Sequence, residues 1–160
     1  MTRLWPLLAC VILMGCSNFD ADFERLGKRP APQPAFLGGA WDGHWESHKG
    51  YGSGQLQAVI ARDPAKQTSA GSLTATGLYD AHFKATWSGV LKAEYHVPIH
   101  ATTDMSQLTT VKIRAEHDLG PGVGKYTMDG EATPSAFTST YKSDYDEGII
   151  ELHRPQVQGP

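Results

Sequence analysis

Apolar and polar residues alternate with a period of two through much of this chain, and that pattern constrains its fold most. Between residues 79 and 87, Tyr79, Ala81, Phe83, Ala85 and Trp87 alternate with polar residues. Successive side chains of a strand point to opposite faces of a sheet, so each such segment has one buried and one solvated face. The same alternation recurs over 91–99, 111–116 and 125–132. The pattern therefore predicts antiparallel strands.

Turn signals rich in Gly and Pro divide the chain after residue 40 into short strand-forming segments. Because sequential strands with short links favour closure, which removes open sheet edges, we predict an all-β fold. The predicted architecture is an eight-stranded antiparallel up-and-down barrel. The predicted strands are 41–47, 54–62, 77–87, 90–100, 108–118, 124–132, 136–142 and 147–153.

The N-terminus has the composition of an export signal. Arg3 is followed by an apolar run from Leu4 to Met14, which is shorter than the roughly 20 residues of a membrane-spanning helix. A positive start before a short apolar stretch is typical of a signal peptide. The run ends in Leu13-Met14-Gly15-Cys16.

This ending resembles the lipobox of bacterial lipoproteins. The resemblance implies that residues 1–15 are a signal peptide removed by cleavage, and that Cys16 is diacylated and holds the protein on a membrane. Ser17 after the Cys, instead of Asp, implies the outer membrane, facing the periplasm, if the host has two membranes. Leu7-Leu8-Ala9-Cys10 looks similar, but cleavage there would leave too short an apolar core.

A linker follows the signal. Phe19, Phe23 and Leu26 have the spacing of one helical turn, but nothing continues it, and Arg29 to Pro34 is extended, polyproline-like sequence. We interpret 16–36 as a lipidated, Pro-rich tether, 37–154 as the barrel domain and 155–160 as a disordered tail.

A second resemblance concerns the two ends of the predicted barrel. Gly43-His44-Trp45 near its start, with Arg154 after its last strand, is similar to the calycin or lipocalin signature. In that family the Trp closes one barrel end and a late Arg packs across its ring. Gly39-Ala40-Trp41 is a second candidate with the same spacing. The resemblance bears on the fold alone.

Several classes of function are not supported by the composition. A formal net charge of −3 with scattered lysines offers no basic stripe for nucleic acid. Cys10 and Cys16 are the two cysteines, so the barrel domain has no disulfide and no Cys-based metal site. His44 and His48 lie about 13 Å apart if they share a strand. We predict no catalytic residue, no metal site and no cofactor.

Two histidines have a structural interpretation. If the third and fourth strands form a hairpin around Ser88, His82 faces Glu94 and Asp80 faces His96 on the solvated side. Such opposite-charge cross-strand pairs contribute a few tenths of a kcal/mol each. The arrangement requires an odd-numbered loop or a bulge.

The interior positions supply the candidate ligand-binding residues, and small residues among them leave room for one small ligand. The candidates are Trp45, Tyr79, Tyr95, His117 and Tyr126. We expect a membrane-anchored envelope protein, not an enzyme, whose barrel binds a small apolar or amphipathic molecule. The alternative is a structural or interaction protein with a filled barrel, and the sequence does not decide between them.

Overall fold

The alternating segments form strands, and the computed structural model describes residues 18–28, 37–67, 74–89, 91–104, 109–121 and 123–156. Each strand pairs antiparallel with its neighbours in the chain, and the last pairs with the first to close a barrel. The prediction of an eight-stranded antiparallel up-and-down barrel is confirmed. The strands are β1 Gly39–Ser47, β2 Ser53–Gln67, β3 Thr74–Trp87, β4 Leu91–Asp104, β5 Val111–Asp118, β6 Lys125–Ala132, β7 Ala136–Lys142 and β8 Glu147–His153.

The apolar face of the alternating pattern points into the barrel. Phe83, Val97, Ile113 and Met128, from four consecutive strands, are at most 3% exposed. They belong to one continuous cluster of buried side chains drawn from every strand. The closed barrel is consistent with a lipocalin-like fold.

The barrel has two distinct ends. We call the end with the hairpin loops 48–52, 88–90, 119–124 and 143–146 the upper end, and the opposite end the lower end. At the lower end the guanidinium carbon of Arg154 lies 3.7 Å from the centroid of the Trp41 ring. Trp41 Nε1 donates a hydrogen bond to the Leu37 carbonyl at 2.9 Å, and Arg154 Nη1 donates to the Ala40 carbonyl at 3.1 Å.

The tryptophan beneath Arg154 therefore belongs to Gly39-Ala40-Trp41, and the first candidate triplet, ending in Trp45, is wrong for this contact. The reason is strand register. His153 pairs with Asp42, so the next residue, Arg154, comes beside Trp41. Trp45 lies farther up β1, where its ring packs against Trp87 with the centroids 5.4 Å apart.

A helix, α1 Phe19–Gly27, lies within the segment interpreted as a tether. So short a helix is marginal alone in water, and docking on the outside of the barrel explains why it forms. Phe19 is 1% exposed and meets the His82 ring edge-on at a centroid distance of 4.9 Å. Asp20 forms an ion pair with Lys84. In the described part of the chain, no helix is both long and apolar enough to cross a membrane.

The hairpin of β3 and β4 differs in register from the prediction. Trp87 pairs with Leu91, so three residues separate the strands and His82 pairs with His96. Ser88 and Gly89 have φ values of 48° and 72°, in the left-handed region that tight turns use. Because the loop has an odd number of residues, the apolar faces of β3 and β4 both point into the barrel, as the sequence analysis required.

The predicted charge pairs form as diagonal contacts. His82 Nε2 lies 3.3 Å from Glu94, and His96 Nδ1 lies 3.0 Å from Asp80. The prediction that these residues face each other directly is wrong, because the register is shifted by two residues. Diagonal neighbours on one face of a sheet remain within reach of long side chains.

Candidate functional site

The barrel wall is open between β4 and β5 in its upper half. The two strands pair from Thr103 with Val111 as far as Ile99 with Ala115, and their described upper residues are not paired. The next residue of β4 above the last pair is Pro98, which has no backbone N–H to donate to a ladder. We call this gap between 91–98 of β4 and 116–118 of β5 the seam.

Some of the side chains that point inward along the seam are partly exposed, although Val97 is fully buried. Ala93 and Tyr95 of β4 are half-buried, and His117 of β5 is exposed. Below the seam, Ile99 and Ala115 continue the same inward faces and are at most 1% exposed. Trp87 and Tyr141 are also half-buried, so the upper end of the interior is partly open to solvent both at the seam and beside these two residues.

Three tyrosines line the interior behind the seam. Tyr95 packs edge-on against Tyr126 with the centroids 6.2 Å apart, and Tyr126 stacks on Tyr141 at 6.1 Å. Phe83 stacks on the other side of Tyr95 at 5.4 Å. These rings form a continuous aromatic wall from β3 to β7.

The tyrosine hydroxyls lie in an enclosed environment. Burial raises the pKa of Tyr95 and of Tyr126, because the phenolate is poorly solvated there. The Tyr126 hydroxyl donates a hydrogen bond to Met128 Sδ at 3.8 Å. Tyr95 is half-buried as a residue, and desolvation is the largest cause of its raised pKa. The three hydroxyls are therefore neutral, and a neutral hydroxyl can both donate and accept a hydrogen bond.

Asp146 anchors the third tyrosine. Its carboxylate accepts hydrogen bonds from the Tyr141 hydroxyl at 2.7 Å and from the Ser47 hydroxyl at 2.6 Å. Burial raises the pKa of Tyr141, and the bond to Asp146 and its negative charge raise it further. The sequence analysis did not identify this contact between the turn 143–146 and the strand ends. A Ser and a Tyr at inward-facing strand ends near that turn were the available signal.

The five residues predicted to line a ligand do not form one site. Trp45, Tyr95 and Tyr126 lie in the upper half of the interior. Tyr79 is buried in the lower half, where it pairs with Ile99. His117 is exposed at the edge of the seam.

Trp45 contributes a polar group without a partner. It is 7% exposed, and its buried Nε1 has no hydrogen-bond acceptor in the structure. It lies so close to Gly54 that a Cβ atom there would be 3.0 Å from it. A buried N–H without an acceptor costs about 1–3 kcal/mol. The upper interior therefore contains a hydrogen-bond donor, Trp45 Nε1, that has no acceptor within the fold.

Two other regions carry polar side chains. The first is an open groove of about 340 Å³ on the outer surface at the upper end. The second is a pair on β1 and β8, where His44 Nε2 lies 3.5 Å from a carboxylate oxygen of Glu151. Within the described ranges, no three His, Asp or Glu side chains are grouped as a metal site would require. The groove is lined by His48, Thr127, Asp129, Thr140, Tyr141, Lys142, Glu147 and Gly148.

Comparisons with known proteins do not assign the chain to a family. No protein-family model matches the chain, and neither a curated protein nor a solved structure shows significant similarity to it. The interpretation of the site therefore depends on its geometry and chemistry.

Proposed function

We propose that this protein is an exported lipoprotein of the cell envelope, anchored through acylated Cys16, whose barrel binds a small apolar or amphipathic molecule. The molecule occupies the upper interior and enters through the seam. The role is one of binding and not of catalysis. On this proposal the lipocalin-like barrel is a ligand-binding scaffold.

The open seam is the observation that supports ligand binding. A barrel that served only as a packed scaffold would gain stability by pairing β4 and β5 along their full lengths. Here Tyr95 is half-buried at the gap, with Tyr126 behind it. An aromatic wall with neutral hydroxyls suits a ligand that is mostly apolar and has one polar group.

The anchoring proposal depends on the signal and the lipobox-like ending at Cys16. Two or more acyl chains meet the two-signal requirement for stable membrane attachment. The structure adds one supporting feature: α1 begins at Phe19 and is docked on the barrel. Anchoring at Cys16 would therefore hold the barrel close to the membrane, and not at the end of a long tether.

A second function, a structural or interaction protein with a filled barrel, is supported by the packing of the interior. Leu56, Phe83 and Met128 are fully buried, and Tyr95, Tyr126 and Tyr141 pack ring against ring. On this alternative the tyrosines contribute to the core alone, and the seam leads to no cavity.

Native mass spectrometry of the protein purified from its host tests anchoring and ligand binding together. We expect the mass of the chain from Cys16 with added acyl groups, and a further, non-covalently retained mass. An unmodified Cys16 would refute anchoring. The absence of any retained mass, together with no saturable binding of the probe 8-anilinonaphthalene-1-sulfonate, would favour the filled barrel.

A variant that fills the seam locates the site. Ala93→Phe places a ring in the upper interior beside the seam, and we expect it to weaken probe binding by about tenfold or more, which corresponds to about 1.4 kcal/mol. Ala136→Phe, at a half-buried position near the lower end, is the matched control and should bind as the wild type does. Equal binding by both variants would place the probe elsewhere.

A further inference from the structure

Exposed apolar side chains concentrate at one end of the barrel. Among the described residues, the large apolar side chains that are exposed are Tyr51, Leu91, Val123 and Tyr145, at 64%, 68%, 39% and 58%. Each lies in or directly beside a different one of the four upper hairpin loops. We call these four residues the apolar rim.

The fold does not require this arrangement. Hairpin loops are stabilised by Gly, Asn, Asp, Ser and Pro, and these loops contain such residues. Tyr51 lies between Gly50 and Gly52, both with positive φ values, and needs no bulky side chain for the turn. Scattered exposed apolar residues are common, but four of them in neighbouring loops at one end form a candidate interaction surface.

Each upper loop or its flanking strand also carries a lysine. Lys125 forms an ion pair with Glu116 at 2.7 Å. In the described part of the chain, Lys49, Lys92 and Lys142 have exposed side chains without an ion pair.

Three acidic side chains at this end accept local hydrogen bonds, and Glu46 is exposed at the upper end of β1. Asp118 accepts from the Gly120 backbone N–H at 2.8 Å, and Asp144 accepts from the Lys125 backbone N–H at 3.1 Å. Asp146 accepts from Tyr141. Lys49, Lys92 and Lys142 are therefore exposed cations beside the apolar rim that can meet a partner.

The course of α1 relates this end of the barrel to the anchor. The helix begins beside Lys84, three residues before β3 ends at Trp87, which is about 10 Å along the strand. It ends at Gly27 beside Ala40 and Pro155 at the lower end. Its N-terminus therefore points toward the upper end. Cys16 is two residues before Asn18, so their Cα atoms are at most about 7 Å apart.

We propose that the apolar rim docks on the surface of the phospholipid bilayer to which Cys16 is anchored. This inference rests on the proposed acylation of Cys16. Tyrosine is favoured at the membrane–water interface, and Leu91 and Val123 can insert among the acyl chains. Lys49, Lys92 and Lys142 meet lipid phosphates while their aliphatic stems lie along apolar surface. The seam opens at this same end, so a ligand from the bilayer reaches the interior without crossing water.

Site-specific labelling of the acylated, full-length mature protein tests the docking. With Cys16 acylated, an introduced cysteine is the one free thiol, because Cys10 lies in the signal. The upper-end variants are Leu91→Cys and Tyr145→Cys. Ser135→Cys, exposed in the lower loop between β6 and β7, is the matched control. Each is labelled with the fluorophore NBD and reconstituted in vesicles of phosphatidylethanolamine and phosphatidylglycerol.

We expect lipids carrying a nitroxide to quench the labels at 91 and 145 several-fold more than the label at 135, and aqueous iodide to show the opposite order. Acylated protein with all three labels equally open to iodide would overturn the docking and leave anchoring intact. Upper labels quenched by soluble partner protein, but not by lipid, would also overturn it.

The mass of the same preparation separates the two proposals. Protein without acyl groups that still binds vesicles through the labelled upper end would refute anchoring and support docking. Protein without acyl groups that does not bind vesicles would refute both.

Discussion

Arg154 and Trp41 form the contact that defines the lower end of the barrel, with the guanidinium carbon 3.7 Å from the indole centroid. The contact joins the end of the last strand to the start of the first. Burial lowers the pKa of Arg154 to about 10, so the side chain is still a cation at neutral pH. The ring face and the backbone carbonyl of Ala40 compensate for its lost hydration.

Replacing each of two buried tryptophans by Phe should separate their roles. Trp41→Phe removes the donor to the Leu37 carbonyl, whereas Trp45→Phe removes an N–H that has no partner. Because both changes remove a similar buried volume, we expect Trp41→Phe to lower the free energy of unfolding by about 1–3 kcal/mol more than Trp45→Phe. Urea unfolding followed by far-UV circular dichroism measures the difference. A larger loss for Trp45→Phe would contradict this account.

The docking of α1 should depend on Phe19. Phe19→Ala removes a fully buried ring from its contacts with Phe23 and His82, and we expect the helix to detach while the barrel stays folded. Trypsin should then cleave after Arg25 and Lys28 at least about tenfold faster, since cleavage follows the population of the detached state. Phe23→Ala, at a half-buried position, is the control with a smaller effect. Equal cleavage of wild type and both variants would show that the helix does not protect these sites.

Stability should fall at mildly acidic pH through His82. Burial lowers its pKa from 6.5, and the nearby charge of His96 lowers it further, while Glu94 and Asp80 act in the opposite direction. A lowered histidine pKa means that the native state favours the neutral ring. The stabilisation is present above pH 6.5 and is lost as pH falls from 6.5 toward the folded pKa.

The free energy of unfolding should therefore decrease more between about pH 7.5 and pH 5.5 in the wild type than in His82→Gln. Chemical unfolding at both pH values measures this difference. His153→Gln, at an exposed position, should follow the wild type. If His82→Gln also follows it, His82 does not couple protonation to folding.

The Asp146 carboxylate should control the ionisation of Tyr141. Asp146→Asn removes the negative charge that raises the pKa of Tyr141, so one tyrosine should ionise at a lower pH than in the wild type. Ultraviolet absorbance of the phenolate during a pH titration reports the change. Asp144→Asn, in the same loop but hydrogen-bonded to the Lys125 backbone, should leave the titration unchanged. We also expect Asp146→Asn to lower the free energy of unfolding by about 1–3 kcal/mol, because the hydrogen bonds that the carboxylate accepts from Ser47, Tyr141 and the Glu147 backbone N–H weaken.

Residues 79–87 and 111–115 show why the architecture could be predicted. Their period of two is a local property that specifies which side chains are buried, and turn signals between such segments specify antiparallel neighbours. The eight strands and their inward faces were predicted from this information. The signal peptide, the acylation of Cys16 and the boundaries of the tether lie largely outside the described residues and stay predictions.

Contacts between distant segments were decided by the tertiary structure. Gly39-Ala40-Trp41 and Gly43-His44-Trp45 are equivalent as motifs, and the pairing of β8 with β1 selected Trp41 as the partner of Arg154. The helix at Phe19 needed a docking surface that forms only when β1 to β3 are assembled. The seam and the apolar rim likewise arise from the closure of the barrel. Periodicity specifies the face of a strand on which a side chain lies, but its neighbours across the sheet depend on register and closure, which are set by the whole chain.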